Sequence, residues 1–316
     1  MTLLIFSAIL LLILQLSCCN KGPIVGILTQ EIQWSCLINT HPDLPENTTY
    51  IASSYVKAVE ASGGRVIPVF TNKTFEYYLD IVKKVNGILI PGGSCSFDTN
   101  SGITQSVCMI YKIAKKINDM HDHFPIFGIC LGFELLLLCS NHGKTPLVMC
   151  NCEGMNMPLE LIPGMEKKSV LFKKMPYDIK NILLNKPVTA NHHHFCITRP
   201  VMSSTGLNKF WNTITINRDI NDMEFISSIE AKNYPFVGLQ FHPEKNAYEW
   251  ERNDPHDWDA IYSARFFYDW FLNECRQNKH KYINEEELKA EIIYNYPETH
   301  VGNDTYAMFE QVYFFV

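Results

Sequence analysis

Four short apolar runs constrain this chain most: PIVGILTQ (23–30), RVIPVF (65–70), GILI (87–90) and FPIFGI (124–129). None alternates apolar with polar residues, so each reads as a strand buried on both faces. Segments of helical period separate them. TTYIASSYVKAVEASGG carries Tyr50, Ile51, Tyr55, Ala58 and Val59 at helical spacing and ends in glycines; FEYYLDIVKKV and VCMIYKIAKKIND follow. This β-α-β-α-β-α-β order predicts a three-layer α/β sandwich, with a mostly parallel central sheet flanked by helices on both faces. FVGLQF (236–241) adds another buried strand, and 258–278 a long amphipathic helix. From Pro146 to about Lys232 the pieces are shorter and more irregular. The tail from Lys279 is charged and then aromatic, and reads as packing on the domain. With 316 residues, 47% of them hydrophobic, the chain accommodates one such domain over 20–316.

The first residues are of a different kind. TLLIFSAILLLILQL, Thr2 to Leu16, is an apolar stretch followed by Ser17, Cys18, Cys19 and Asn20. It is short for a membrane span and suits a signal peptide over residues 1–19, cleaved after Cys19. No Lys or Arg precedes it, a departure from the usual pattern. Sequons at Asn47, Asn72 and Asn303 agree with entry into the secretory pathway as glycosylation sites. A net charge of −6 without a long basic run speaks against a nucleic-acid partner. With the leader removed, nothing in the pattern calls for a membrane.

Removing Cys18 and Cys19 from eleven cysteines leaves an odd number, so at least one thiol stays free unless two chains pair. A domain of this size needs no disulfide framework. Cys108, Cys139 and Cys275 fall in helical patterns and read as core or surface residues. CNC (Cys150, Cys152) and the His192–His194 run suggest metal, yet no pair of C-x-x-C motifs accompanies them. The reading is therefore no metal and no cofactor.

Ligands of parallel sheets bind at the carboxyl ends of the strands, which selects the loops PGGS (91–94) and GICLG (128–132). Gly128, Cys130 and Gly132 form a G-x-C-x-G turn between strand and helix, the thiol counterpart of the G-x-S-x-G elbow. The same spacing suits a small core residue between packing glycines, so the turn alone leaves both readings open. A helix starting at Leu131 would aim its free amides at the sulfur and favour thiolate. His242 stands directly after the strand FVGLQF, at the same sheet edge, with Glu244 two residues on. The set reads as nucleophile, general base and orienting carboxylate. The Gly93 and Leu131 amides are candidates for an oxyanion hole.

PGGS, GICLGFE and FHPEKN, in this order, resemble the class I glutamine amidotransferase-like superfamily, whose fold is flavodoxin-like. TANHHH and HPEKNAYEW narrow the resemblance to the γ-glutamyl hydrolases, from about Pro23 to the C-terminus. It implies Cys130 as nucleophile, His242 as catalytic histidine, Glu244 as its acidic partner, and Glu134 and His193 at the substrate cleft. Within the triple histidine, His192 and His194 are the alternatives to His193. It further implies hydrolysis of folyl- and antifolyl-poly-γ-glutamates, a lysosomal or extracellular setting, and a homodimer. Phe195 and Phe241 stand where the family has other large residues, and the loop between Gln30 and Thr49 departs from it. The residues alone reach thiol acyl transfer. A glutaminase, a hydrolase of other γ-glutamyl amides and a non-catalytic γ-glutamyl or folate binder are the competing readings.

Overall fold

The structure, a computed structural model, describes residues 22–250, 252–302 and 308–316, so the leader and the Asn303 sequon lie outside it. The expected strands form one eight-stranded sheet: β1 (Ile24–Leu28), β2 (Arg65–Val69), β3 (Gly87–Ile90), β4 (Ile126–Ile129), β5 (Glu160–Leu161), β6 (Trp211–Arg218), β7 (Glu224–Ala231) and β8 (Phe236–Leu239). Their spatial order is β2-β1-β3-β4-β8-β7-β6-β5. The first five in that order run parallel. The last three continue antiparallel, so the irregular middle of the chain extends the sheet.

Alternation along each strand sorts the core into two layers. Val25, Ile27, Leu89, Phe127 and Ile129 pack with α1 (Ser53–Ala61) and α5 (Trp258–Cys275) on one face. Ile24, Leu28, Ile88, Ile90 and Ile126 pack with α2 (Phe75–Lys84), α3 (Gly102–Asp119) and α4 (Leu131–Ser140) on the other. Both faces are covered, which is why the strands carry no polar alternation. The chain leaves β1 to either side, toward β2 and toward β3, and a crevice opens above their carboxyl ends.

Three expectations are corrected. Tyr50 and Ile51 belong to a strand, Thr49–Ala52, and not to the helix that follows. This β-prone TYIA segment pairs on both sides, with Gln30–Glu31 and with the C-terminal strand Gln311–Phe315. The tail is thus a strand of a second, four-stranded sheet. Cys108 and Cys139 are helical, yet they form a disulfide between α3 and α4, and Cys150 forms another with Cys196. Of the sequons, Asn47 is exposed. Asn72 is exposed too, but its Oδ1 accepts from the Gly102 amide at 2.7 Å and its Nδ2 donates to Glu31 at 3.4 Å. Among the described residues no helix is long and apolar enough to cross a membrane.

Candidate active site

Cys130 occupies the sharp turn between β4 and α4 with φ 51° and ψ −106°, outside the regions L-residues favour. The surrounding structure enforces that geometry. The Cys130 amide donates to Leu239 O at 2.7 Å, and the Glu134 amide donates back to Cys130 O at 3.0 Å. Gly132 is required by close approach, since a Cβ there would lie 2.1 Å from the carbonyl oxygen of Ile90. The turn has the strained backbone geometry of a strand-to-helix elbow.

His242 follows β8 and is anchored by its amide, which donates to Ala190 O at 2.9 Å. Its Nδ1 lies 2.6 Å from Glu244 Oε1, and its Nε2 has no hydrogen-bond partner among the described residues. With Glu244 accepting from Nδ1–H, the Nε2 lone pair is left to take a proton. Gly92 fills the gap between ring and thiol: a Cβ there would lie 2.6 Å from His242 Cε1 and 3.1 Å from Cys130 Cβ. Tyr55, which the sequence placed only in a helical pattern, accepts from the Gly92 amide at 2.8 Å and stands 3.5 Å from His242 Nδ1. Gln30 Nε2 donates to Gly92 O at 2.6 Å.

Burial alters the expected charge states. The Cys130 thiol is pushed well above its ordinary value by desolvation and by the nearby Glu134 and Glu244, which outweigh the Leu131 amide bonded to the sulfur. The thiol is therefore held neutral, in place of the thiolate that the helix end suggested. Burial lowers His242 below the usual imidazole value, against the pull of Glu244, while Glu244 stays below the ordinary carboxylate range through its bond to His242. Glu134 accepts from Gln240 Nε2 at 3.0 Å and is raised by burial to about 8. It is a neutral acid at pH 7.

A cleft of about 370 Å³ opens above Cys130 and brings together Gly93, Leu131, Glu134, His193 and His242. All three histidines of the run line it, each differently. His192 is held by Asp254 at 2.9 Å and by Glu153 at 3.2 Å. His193 points Nε2 at Asn191 Oδ1, 3.3 Å away, and Nδ1 at Phe195 O, 3.1 Å away. His194 is largely exposed near Glu153. Sequence reasoning missed Trp34, Phe97, Phe309, Lys245 and Arg252, which complete the walls. Trp34 comes from the divergent loop and Phe309 from the tail, places where spacing gave no signal.

The amino-acid sequence matches the Peptidase C26 family over residues 23–244. The chain belongs to that family. Curated relatives include γ-glutamyl hydrolase B of Dictyostelium discoideum, 36% identical over 94% of this chain and 84% of its own length. The γ-glutamyl hydrolase of Homo sapiens is 35% identical over 93% of this chain and 90% of its own. Among solved structures, a glutamine amidotransferase from Methylobacillus flagellatus is similar with a TM-score of 0.43 at 10% identity, covering 84% of this chain and 99% of that one. As a family member, the chain is a cysteine-type hydrolase.

Proposed function

We propose that the chain hydrolyses γ-glutamyl bonds of folyl- and antifolyl-poly-γ-glutamates through a thioester on Cys130. The observation that carries this reading is Cys130 on a strained elbow beside Gly92, the same glycine that the His242 ring approaches, with His242 Nε2 left without a partner among the described residues. Sγ attacks the γ-carbonyl carbon while its proton passes to His242 Nε2. Glu244 holds the imidazole and offsets the charge it gains. The Leu131 and Gly93 amides face the oxyanion, a contact worth on the order of 3 kcal/mol of barrier per donor. The C–N bond then breaks as His242 returns the proton to the leaving amine, and water releases the γ-glutamyl product from the thioester.

Starting from a neutral thiol and a neutral imidazole, the step needs no resting ion pair in a dry site. Neutral Glu134 adds a hydrogen-bond donor where a second carboxylate would repel an anionic substrate. Lys245 and Arg252 bring positive charge to a polyanionic chain, and Trp34 and Phe195 offer exposed aromatic faces to a flat ring. The leader, the Asn47 sequon and two disulfides support a secreted or lysosomal setting, where such bridges persist.

Substrate comparison tests the assignment. Folate pentaglutamate and γ-linked diglutamate should be cleaved, α-linked diglutamate left intact, and free glutamine turned over far more slowly. Release of ammonia from glutamine with γ-glutamyl peptides untouched would make the chain a glutaminase and overturn it.

A further inference from the structure

One cluster beside the cleft is not used by this chemistry. Cys150, Cys152, Cys196 and His193 are all buried, and one donor atom from each lies within 4.8 Å of the others. The Cys150–Cys196 disulfide accounts for two of them. It leaves Cys152 as a free, fully buried thiol in reach of that bridge, and it leaves His193 Nδ1 at 3.6 Å from one bridge sulfur and 3.5 Å from the other. Packing alone asks for no third sulfur and no imidazole there.

We propose that these four residues form a redox-gated site for a thiophilic divalent cation of the Zn²⁺ class, closed while the Cys150–Cys196 bridge is intact and open once it is reduced. A tetrahedral zinc with three sulfurs about 2.3 Å away sets them about 3.8 Å apart, so the bridge sulfurs, about 2.05 Å apart while bonded, separate by about 1.7 Å after reduction, and the farthest donors draw in by at most about 1 Å. The scaffold outlasts the bridge. The Cys150 amide donates to His194 O at 2.9 Å and the Cys152 amide to His193 O at 3.2 Å, while Val148 pairs with Cys196 and Met149 with Phe195. These backbone bonds hold the donors in register in either state. With the bridge intact His193 donates from Nδ1 to Phe195 O at 3.1 Å, so metal binding moves the ring proton to Nε2, where Asn191 Oδ1 at 3.3 Å accepts it, the usual outer contact of a metal-bound histidine.

The step balances with a small-molecule thiol as reductant. Two external thiols become one external disulfide, and the Cys150–Cys196 bond opens to two thiols. The cation then displaces a proton from each of the three cysteines and takes the neutral His193 nitrogen as fourth ligand. Spacing along the sequence did not reveal the site because Cys196 is supplied by a strand 46 residues from Cys150.

The test uses the whole chain in a Cys130→Ala background, so that the Cys130 thiol and His242 add no second site. Protein is incubated with Zn²⁺ or Co²⁺ with and without phosphine reduction, desalted, and assayed for bound metal and for the Co²⁺ absorption spectrum. The reduced chain should retain one equivalent of Zn²⁺ and give thiolate-to-cobalt charge transfer with tetrahedral visible bands. The disulfide-intact chain should retain none. Cys152→Ser should weaken retention by more than the 10–100-fold typical of losing an outer-shell partner, and Cys275→Ser, a buried thiol elsewhere, should leave it unchanged. No metal on the reduced chain, or equal loading with the bridge intact, would overturn the proposal. So would full loading of Cys152→Ser. The comparison of the two redox states of the parent chain decides even if Cys152→Ser does not fold.

Discussion

At the residue scale, the site depends on which groups stay neutral. Glu244 keeps its charge through His242, and its replacement tests that pairing. Glu244→Gln should leave KM near its parent value and lower kcat by about 10²–10⁴-fold, the range for a misdirected general base; steady-state assays on γ-linked diglutamate measure both. Glu134 behaves oppositely. Its folded-state value, about 8, lies above the ordinary 4.5, so the native state holds a proton that the unfolded chain releases. The stability contributed by neutral Glu134 is complete below pH 4.5 and is lost as pH rises toward 8. Glu134→Gln should therefore gain stability over the parent across that window and little below it, read from urea midpoints at several pH values. Cys130 was legible as a candidate because two glycines flank it at a strand end. Its protonation state was not, because burial by β4, α4 and the carboxylates comes from the whole core and not from neighbours in sequence.

The elements explain which parts of the site could be read in advance. GILI, FPIFGI and FVGLQF are short apolar runs ended by Gly or Pro, and all three appear as adjacent parallel strands whose carboxyl ends carry Gly92, Cys130 and His242. Contacts within these runs are local, so residue pattern sufficed. Tyr50 and Ile51 were misread because their partners, Phe314 and Tyr313, lie more than 260 residues along the chain. The same holds for Trp34 and Phe309, cleft walls delivered by a divergent loop and the tail. The junction of β4 and α4 carries its own test. Gly132→Ala places a methyl against the backbone of β3, so it should cost at least about 1–3 kcal/mol and lower turnover with the elbow displaced; denaturation and kinetics on the same preparation report both.

For the whole molecule, the sheet's two covered faces and the second sheet from the tail hold the cleft between distant parts of the chain. The Cys108–Cys139 bridge joins helices on one face and closes a loop of 31 residues. Removing it by Cys108→Ala with Cys139→Ala should lower stability by about 2–4 kcal/mol with kcat/KM little changed, because neither residue lines the cleft; thermal unfolding beside an activity assay checks this. The central claim is that Cys130 is the nucleophile of a γ-glutamyl hydrolase, and digestion of folate pentaglutamate by the parent chain and by Cys130→Ala, with products resolved by mass spectrometry, tests it most directly. The parent should yield shortened folates and glutamate or γ-linked glutamate oligomers, and the variant none, with its circular dichroism and Tm preserved. Cleavage by the alanine variant at the parent rate would contradict the account.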